Sequence, residues 1–128
     1  MTMNSRTKPL ILIVEDNEIN SQVLVEYLSK DYDVIVAADG LEAIEIIQKN
    51  LHEISLILLD LILPSLDGFE LLEEMNENGW IQFVPVVIIS SEGSEEFQQR
   101  AYLNNVYAFI TKPFTYKEVM SCVKAIVS

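Results

Sequence analysis

The chain has 128 residues, half of them apolar, with 8 Lys or Arg against 20 Asp or Glu, for a net charge of −12. That length and apolar content fit one domain with one core and exclude disorder, and no apolar stretch approaches the roughly 20 residues needed to span a bilayer. Between Lys49 and Arg100 there is no Lys or Arg but there are ten Asp or Glu. Direct nucleic-acid binding, which needs clustered cations, is therefore not expected.

Residues 1–8 read as a polar tail without the apolar centre of a signal peptide, which predicts a cytoplasmic protein. Residues 9–128 read as one domain, with no linker or second domain after its last helix. Leu10–Val14 is an apolar run of strand length. Asn17 is placed to cap a helix over Glu18–Lys30, with Ile19, Val23 and Tyr27 on one face beside Leu24 and Leu28. Asp33–Ala37 is a short strand, and Leu41–Lys49 a helix with Leu41, Ile44 and Ile47 inward. Leu56–Asp60 is the most apolar strand, so it is expected at the centre, covered on both faces. Pro64, Asp67 and Gly68 mark a loop. Phe69–Asn78 is a helix with Phe69, Leu72 and Met75 in register, ended by Asn78-Gly79. Pro85–Ser90 is the fourth strand, and the polar loop Ser91–Ser94 leads into a helix around Glu95–Asn104. Ala108–Thr111 is the fifth strand, and Thr115 caps a last helix reaching about Val127.

Strands alternating with helices predict an α/β fold, (βα)5, with a doubly wound parallel five-stranded sheet and right-handed crossovers. The expected strand order is 2-1-3-4-5, with ligands at the switch between the first and third strands. Cys122 is the only cysteine. It excludes an internal disulfide and a multi-cysteine metal site. Among Val119, Met120, Val123 and Ile126 it reads as a half-buried structural thiol. The single His52, at a helix end, likewise reads as structural.

Four apolar runs stop at reactive side chains: Glu15-Asp16, Asp60, Ser90, and Lys112 after Thr111. Strand C-termini of a parallel sheet share one edge, so three carboxylates, a hydroxyl and an ammonium should meet there. Each has an ordinary explanation when taken singly. An acidic pair can merely cap a helix, and a Ser after a strand is commonplace. Asp60 is harder to dismiss, because a charge ending an apolar run inside a cleft is costly. Three neighbouring carboxylates repel one another unless a cation is present. Mg²⁺ accepts carboxylate oxygens and keeps open positions; Glu15, Asp16 and Asp60 could supply the oxygens, and Mn²⁺ could stand in. A metal-bound Asp is a competent phosphoryl acceptor. Lys112 could then neutralise one phosphoryl oxygen and Ser90 donate to another. The isomer of the Lys112-Pro113 bond could fix where the Lys points.

Ile11–Asn17, Leu58–Pro64 with Asp67-Gly68, Pro85–Ser90 and Thr111–Phe114 together resemble the receiver domain of two-component response regulators. The resemblance extends from about Pro9 to Val127. It implies a flavodoxin-like sheet and a phosphoryl group passed from a phosphohistidine to Asp60. The donor would be a sensor histidine kinase or a histidine phosphotransfer protein. It further implies that Asp16 ligates Mg²⁺ directly, Glu15 acts through water or at longer reach, and the main-chain carbonyl of Ile62 is another ligand. Ser90 and Lys112 would contact the phosphoryl group. Ser90 and Phe109 would form the switch, changing the surface of the fourth helix, fifth strand and fifth helix that a downstream protein reads. Neither a membrane nor a direct nucleic-acid partner is implied. Glu15 departs from the commoner Asp, and Asn105 stands where Gly often follows the fourth helix. Ile62 and Glu92 flank the phosphoryl position, where the family tunes dephosphorylation. The competing expectations are a receiver-like interaction module that is never phosphorylated and a flavodoxin-type electron carrier. The latter is disfavoured by the acidic segment Glu15–Glu18, where a flavin phosphate would want a Ser/Thr/Gly-rich loop.

Overall fold

The computed structural model describes residues 8–127. Apart from Lys8, the tail expected at the N-terminus lies outside the described residues. Five strands, β1 (Leu10–Val14), β2 (Asp33–Ala37), β3 (Ile54–Leu59), β4 (Val86–Ser90) and β5 (Ala108–Thr111), alternate with five helices. The helices are α1 (Glu18–Leu28), α2 (Gly40–Asn50), α3 (Gly68–Glu77), α4 (Glu95–Leu103) and α5 (Tyr116–Ile126). All strand pairs are parallel and the order is β2-β1-β3-β4-β5. The (βα)5 reading and its strand order are thus correct. Among the described residues no helix is long and apolar enough to cross a membrane.

Strand periodicity divides the core into two layers. Leu10, Leu12 and Val14 of β1, with Ile57 and Leu59 of β3 and Val86 and Ile88 of β4, face a cluster containing Ala43, Ile47, Leu72 and Ala101. That layer is covered by α2, α3 and α4. Ile11, Ile13, Leu56, Leu58, Val87 and Ile89 face the other cluster, with Leu24 and Leu28 of α1 and Val119 and Val123 of α5. Central strands covered on both sides must be apolar on both sides, which is why β1 and β4 are buried at every position.

The helix faces differ from the expectation in two places. In α1 the buried residues are Ser21, Leu24 and Leu28, while Ile19 is 73% exposed. In α2 they are Gly40, Ala43 and Ile47, while Leu41 is 57% exposed. Ile19 and Leu41 both lie in first turns, beyond the strand ends, where there is no sheet to cover them. Phe69 holds the equivalent place in α3 and is buried, because Phe97 of α4 meets its ring edge-on and the Arg100 guanidinium lies 3.9 Å above it.

The capping expected of Asn17 and Thr115 holds, at α1 and α5, the latter through a reciprocal capping box. Asp67, legible only as part of a loop, caps α3 through a second such box. Gly79, at φ +73°, follows α3 and opens a short 3₁₀ turn, Trp80–Gln82, that the sequence reading did not anticipate. Asn105 adopts φ +68° after α4, as expected of a left-handed cap. Its side chain also does what glycine could not. Nδ2 donates to Asn76 Oδ1 at 2.7 Å, while Asn76 Nδ2 donates to Asn104 O at 2.9 Å, tying the C-terminal ends of α3 and α4 together.

Candidate functional site

The strand ends converge as the alternation requires. Glu15 and Asp60 each follow the last residue of adjacent strands. The Glu15 amide donates to Ala37 O at 3.0 Å and the Asp60 amide to Val14 O at 2.9 Å, so both are held by extensions of the ladder. On β5 the Lys112 amide donates to Ser90 O at 2.8 Å. Counting by twos from the core positions sends Glu15, Asp60 and Lys112 to the α1/α5 side of the sheet and Ser90 to the α3/α4 side.

Lys112 Nζ donates to Glu15 Oε1 at 2.7 Å and to Asp60 Oδ2 at 2.8 Å. Ligand oxygens of Glu15, Asp16 and Asp60 lie within 4.8 Å of one another. Glu15 and Asp60 are buried, at 4% and 7% exposure, whereas Asp16 is exposed. The main chain completes the cradle: the Ile62 amide donates to Asp60 Oδ1 at 3.0 Å and the Asn17 amide to Glu15 Oε2 at 3.3 Å. Asn17 was legible only as a helix cap; that its amide also holds Glu15 follows from its place directly after the acidic pair.

Burial pushes the Glu15 carboxyl above its usual range; the Lys112 ammonium offsets this in part and Asp60 adds to it. Desolvation pulls Lys112 down, but its bonds to Asp60 and Glu15 outweigh it, so the ammonium is held more firmly than usual. One ammonium among three carboxylates leaves a concentrated negative charge. These are hard oxygen donors with one exposed member, which is the donor set a hard divalent cation accepts. The residues therefore fit Mg²⁺.

Ser90 stands apart from the ion pairs. It is fully buried, and its Oγ accepts the Glu92 amide at 3.1 Å. That bond uses a lone pair and leaves the hydroxyl proton to be donated elsewhere. Phe109 is half-buried against the α3/α4-side core, and pairs with Ile88 two residues before the Ser90–Thr111 pair. Ser90 and Phe109 thus share one face, while the carboxylates and Lys112 share the other. The Lys112-Pro113 bond is cis. Beside Lys112 a cleft opens between α1 and the β5–α5 loop, lined by Asn20, Val23, Tyr27, Ser91 and Phe114. Away from the site, His52 stacks edge-on against Phe83, and Cys122 is half-buried with its thiol pushed up by burial.

Known proteins resemble this chain in sequence and fold. Over its whole length the chain is 32% identical to response regulator Rcp1 of Synechocystis sp., covering 92% of that protein. It is 30% identical over 91% of its length to "Probable transcriptional regulator ycf29" of Porphyra purpurea, of which it spans 56%. It is 30% identical over 92% of its length to hybrid signal transduction histidine kinase D of Dictyostelium discoideum, of which it spans 8%. A CheY from Borrelia burgdorferi, solved in complex with CheX, BeF3 and Mg²⁺, superposes with a TM-score of 0.85 at 26% identity, covering 94% of this chain and 90% of that one. The response regulator receiver domain model matches residues 11–124, and the chain belongs to that family.

Proposed function

We propose that Asp60 accepts a phosphoryl group from a phosphohistidine donor, with Mg²⁺ held by Asp16, Asp60 and the Ile62 carbonyl, and Glu15 acting at longer reach. The observation that carries this reading is the Lys112 ammonium bonded at once to Asp60 and Glu15, with Asp16 alongside. A carboxylate oxygen of Asp60 attacks phosphorus, the new P–O bond forms as the P–N bond breaks, and the imidazole leaves with the electron pair. The cation held by these residues would neutralise charge on the phosphoryl oxygens when bound. Lys112 shifts its bond from the Asp60 carboxylate to a phosphoryl oxygen and stays protonated throughout. Ser90 donates its uncommitted proton to another oxygen. The donor enters along the cleft beside Lys112. In dephosphorylation, water attacks phosphorus, the P–O bond to Asp60 breaks, and inorganic phosphate leaves with the Asp60 carboxylate restored.

The switch follows from the opposite facing of Ser90. Drawing its hydroxyl toward the phosphoryl group vacates space on the α3/α4 side, into which the half-buried Phe109 ring turns. With no hydroxyl of its own, Phe109 trades only apolar burial and packing between its two states. The surface that reports the change is the exposed α4–β5–α5 side, where Tyr102, Leu103, Tyr107 and Tyr116 are 48%, 82%, 59% and 54% exposed. A downstream protein reads it. This reading is tested with beryllofluoride, the analogue found with Mg²⁺ in the Borrelia neighbour. Amide spectra should change at Ser90 and Phe109 only when both beryllofluoride and Mg²⁺ are present. Spectra indifferent to the pair would leave a passive interaction module.

Ile62, 57% exposed, stands two residues beyond the acceptor. An apolar side chain there offers an attacking water no hydrogen bond and screens the phosphorus. Ile62→Asn should shorten the phosphoryl lifetime about tenfold, less than the roughly 100-fold or more of a positioned general acid or base, because an amide can only orient the water. Loss of phosphoryl mass after removal of the donor measures it, and an unchanged decay would rule the screening out.

A further inference from the structure

We infer that Gly40, at the start of α2, is a positioning residue for the cation site, acting through the β3–α3 loop. This rests on the Mg²⁺ site proposed above. The Ile62 main chain serves that site twice: its amide bonds Asp60, and its carbonyl is the proposed ligand. Yet the loop carrying it is weakly tied. Among the described residues, no main-chain to main-chain bond holds residues 62–66. The Gly68 amide donates to Leu61 O at 2.9 Å and closes the loop at its base. Within the loop stands Ser65, a non-glycine residue at φ +62°. A left-handed serine persists only where its surroundings enforce it.

The enforcing contact is Gly40. A Cβ there would strike the Leu66 carbonyl oxygen and lie 2.8 Å from both Leu66 C and Leu66 Cβ. The Leu66 carbonyl O and C are main chain, and its Cβ is fixed directly to the main chain, so none can swing aside as the far end of a side chain could. Glycine is otherwise a poor choice for a helix residue, and alanine there would ordinarily stabilise. Its presence is explained by close seating of α2 on the loop. Leu66 itself is half-buried against the α2/α3/α4-side core, as is Leu63. Leu66 is therefore pinned between α2 and the core, and this fixes the loop that presents Ile62. The geometry gives Gly40 a function in metal binding although it lies outside the acidic cluster.

The test is Mg²⁺ titration of the apo protein, followed by the amide shifts of Asp16 and Ile62. Gly40→Ala should weaken Mg²⁺ about tenfold, the lower end of what supporting groups around a metal contribute, with the Ile62 amide response reduced more than that of Asp16. Ile47→Val, on the same helix but in the core, should lower the melting temperature and leave Mg²⁺ affinity unchanged. Wild-type affinity in Gly40→Ala would overturn the inference. If Gly40→Ala does not fold, Leu66→Ala carries the test: severalfold weaker Mg²⁺ supports the inference and unchanged affinity overturns it. A wild-type protein that binds no Mg²⁺ at all would instead remove the cation-site reading, and this inference with it.

Discussion

Asp60→Asn should abolish phosphorylation while leaving the fold intact. The side chain keeps its shape, so the Ile62 amide still finds an oxygen to bond. What is lost is the nucleophile, since an amide oxygen does not form a stable phosphoryl ester, and one charge of the carboxylate cluster. Two results follow. Incubated with acetyl phosphate and Mg²⁺, wild-type protein should gain the mass of one phosphoryl group and Asp60→Asn none. Asp60→Asn should also be the more stable apo protein, because a like charge beside buried Glu15 is gone while Lys112 keeps its bond to Glu15. A phosphoryl mass persisting in Asp60→Asn would transfer the acceptor role to Glu15 or Asp16. The Glu15→Gln and Asp16→Asn variants, treated in the same way, would say which.

The sheet was legible because β1, β3 and β4 are buried on both faces, and such strands announce themselves as unbroken apolar runs. Parallel pairing then fixes which ends meet, so Glu15, Asp16, Asp60, Ser90 and Lys112 could be assigned to one edge from order alone. The helix faces were less legible. Ile19 and Leu41 continue an apolar period, but the period does not reveal where the sheet stops beneath a first turn. Side-chain direction at the rim was also hidden. The sequence places Ser90 with the carboxylates, whereas strand alternation turns it to the opposite face, beside Phe109. Gly40 was invisible for another reason. Its role is a contact with a loop far along the chain, and nothing local marks an Asp-Gly pair as more than a helix start.

Lys112→Ala should turn the site into a pH-dependent weakness. In the wild type the ammonium, 15% exposed, compensates carboxylates that are 3% and 8% exposed. Removing it leaves two buried charges facing each other, a loss of about 3 kcal/mol by analogy with broken buried pairs, at the low end because Asp16 opens the site to water. The sign with pH is fixed by Glu15. Its folded-state carboxyl is already raised by burial and by Asp60, and Lys112 is what lowers it; without Lys112 it rises further. A group raised on folding contributes stability below its unfolded value, near 4.3, and that contribution is lost as pH climbs through the folded value. The difference in stability between wild type and Lys112→Ala should therefore be small near pH 4 and grow toward neutrality. Taking the difference at each pH removes the titration of carboxylates that Lys112 does not touch. Mg²⁺ should restore much of the loss at pH 7, since a cation that binds only the folded state stabilises it by mass action. Adding Glu15→Gln to Lys112→Ala should flatten the profile. Melting curves across pH, with and without Mg²⁺, read all of these. A deficit constant with pH would mean that Lys112 stabilises through the packing of its aliphatic stem and not through its charge.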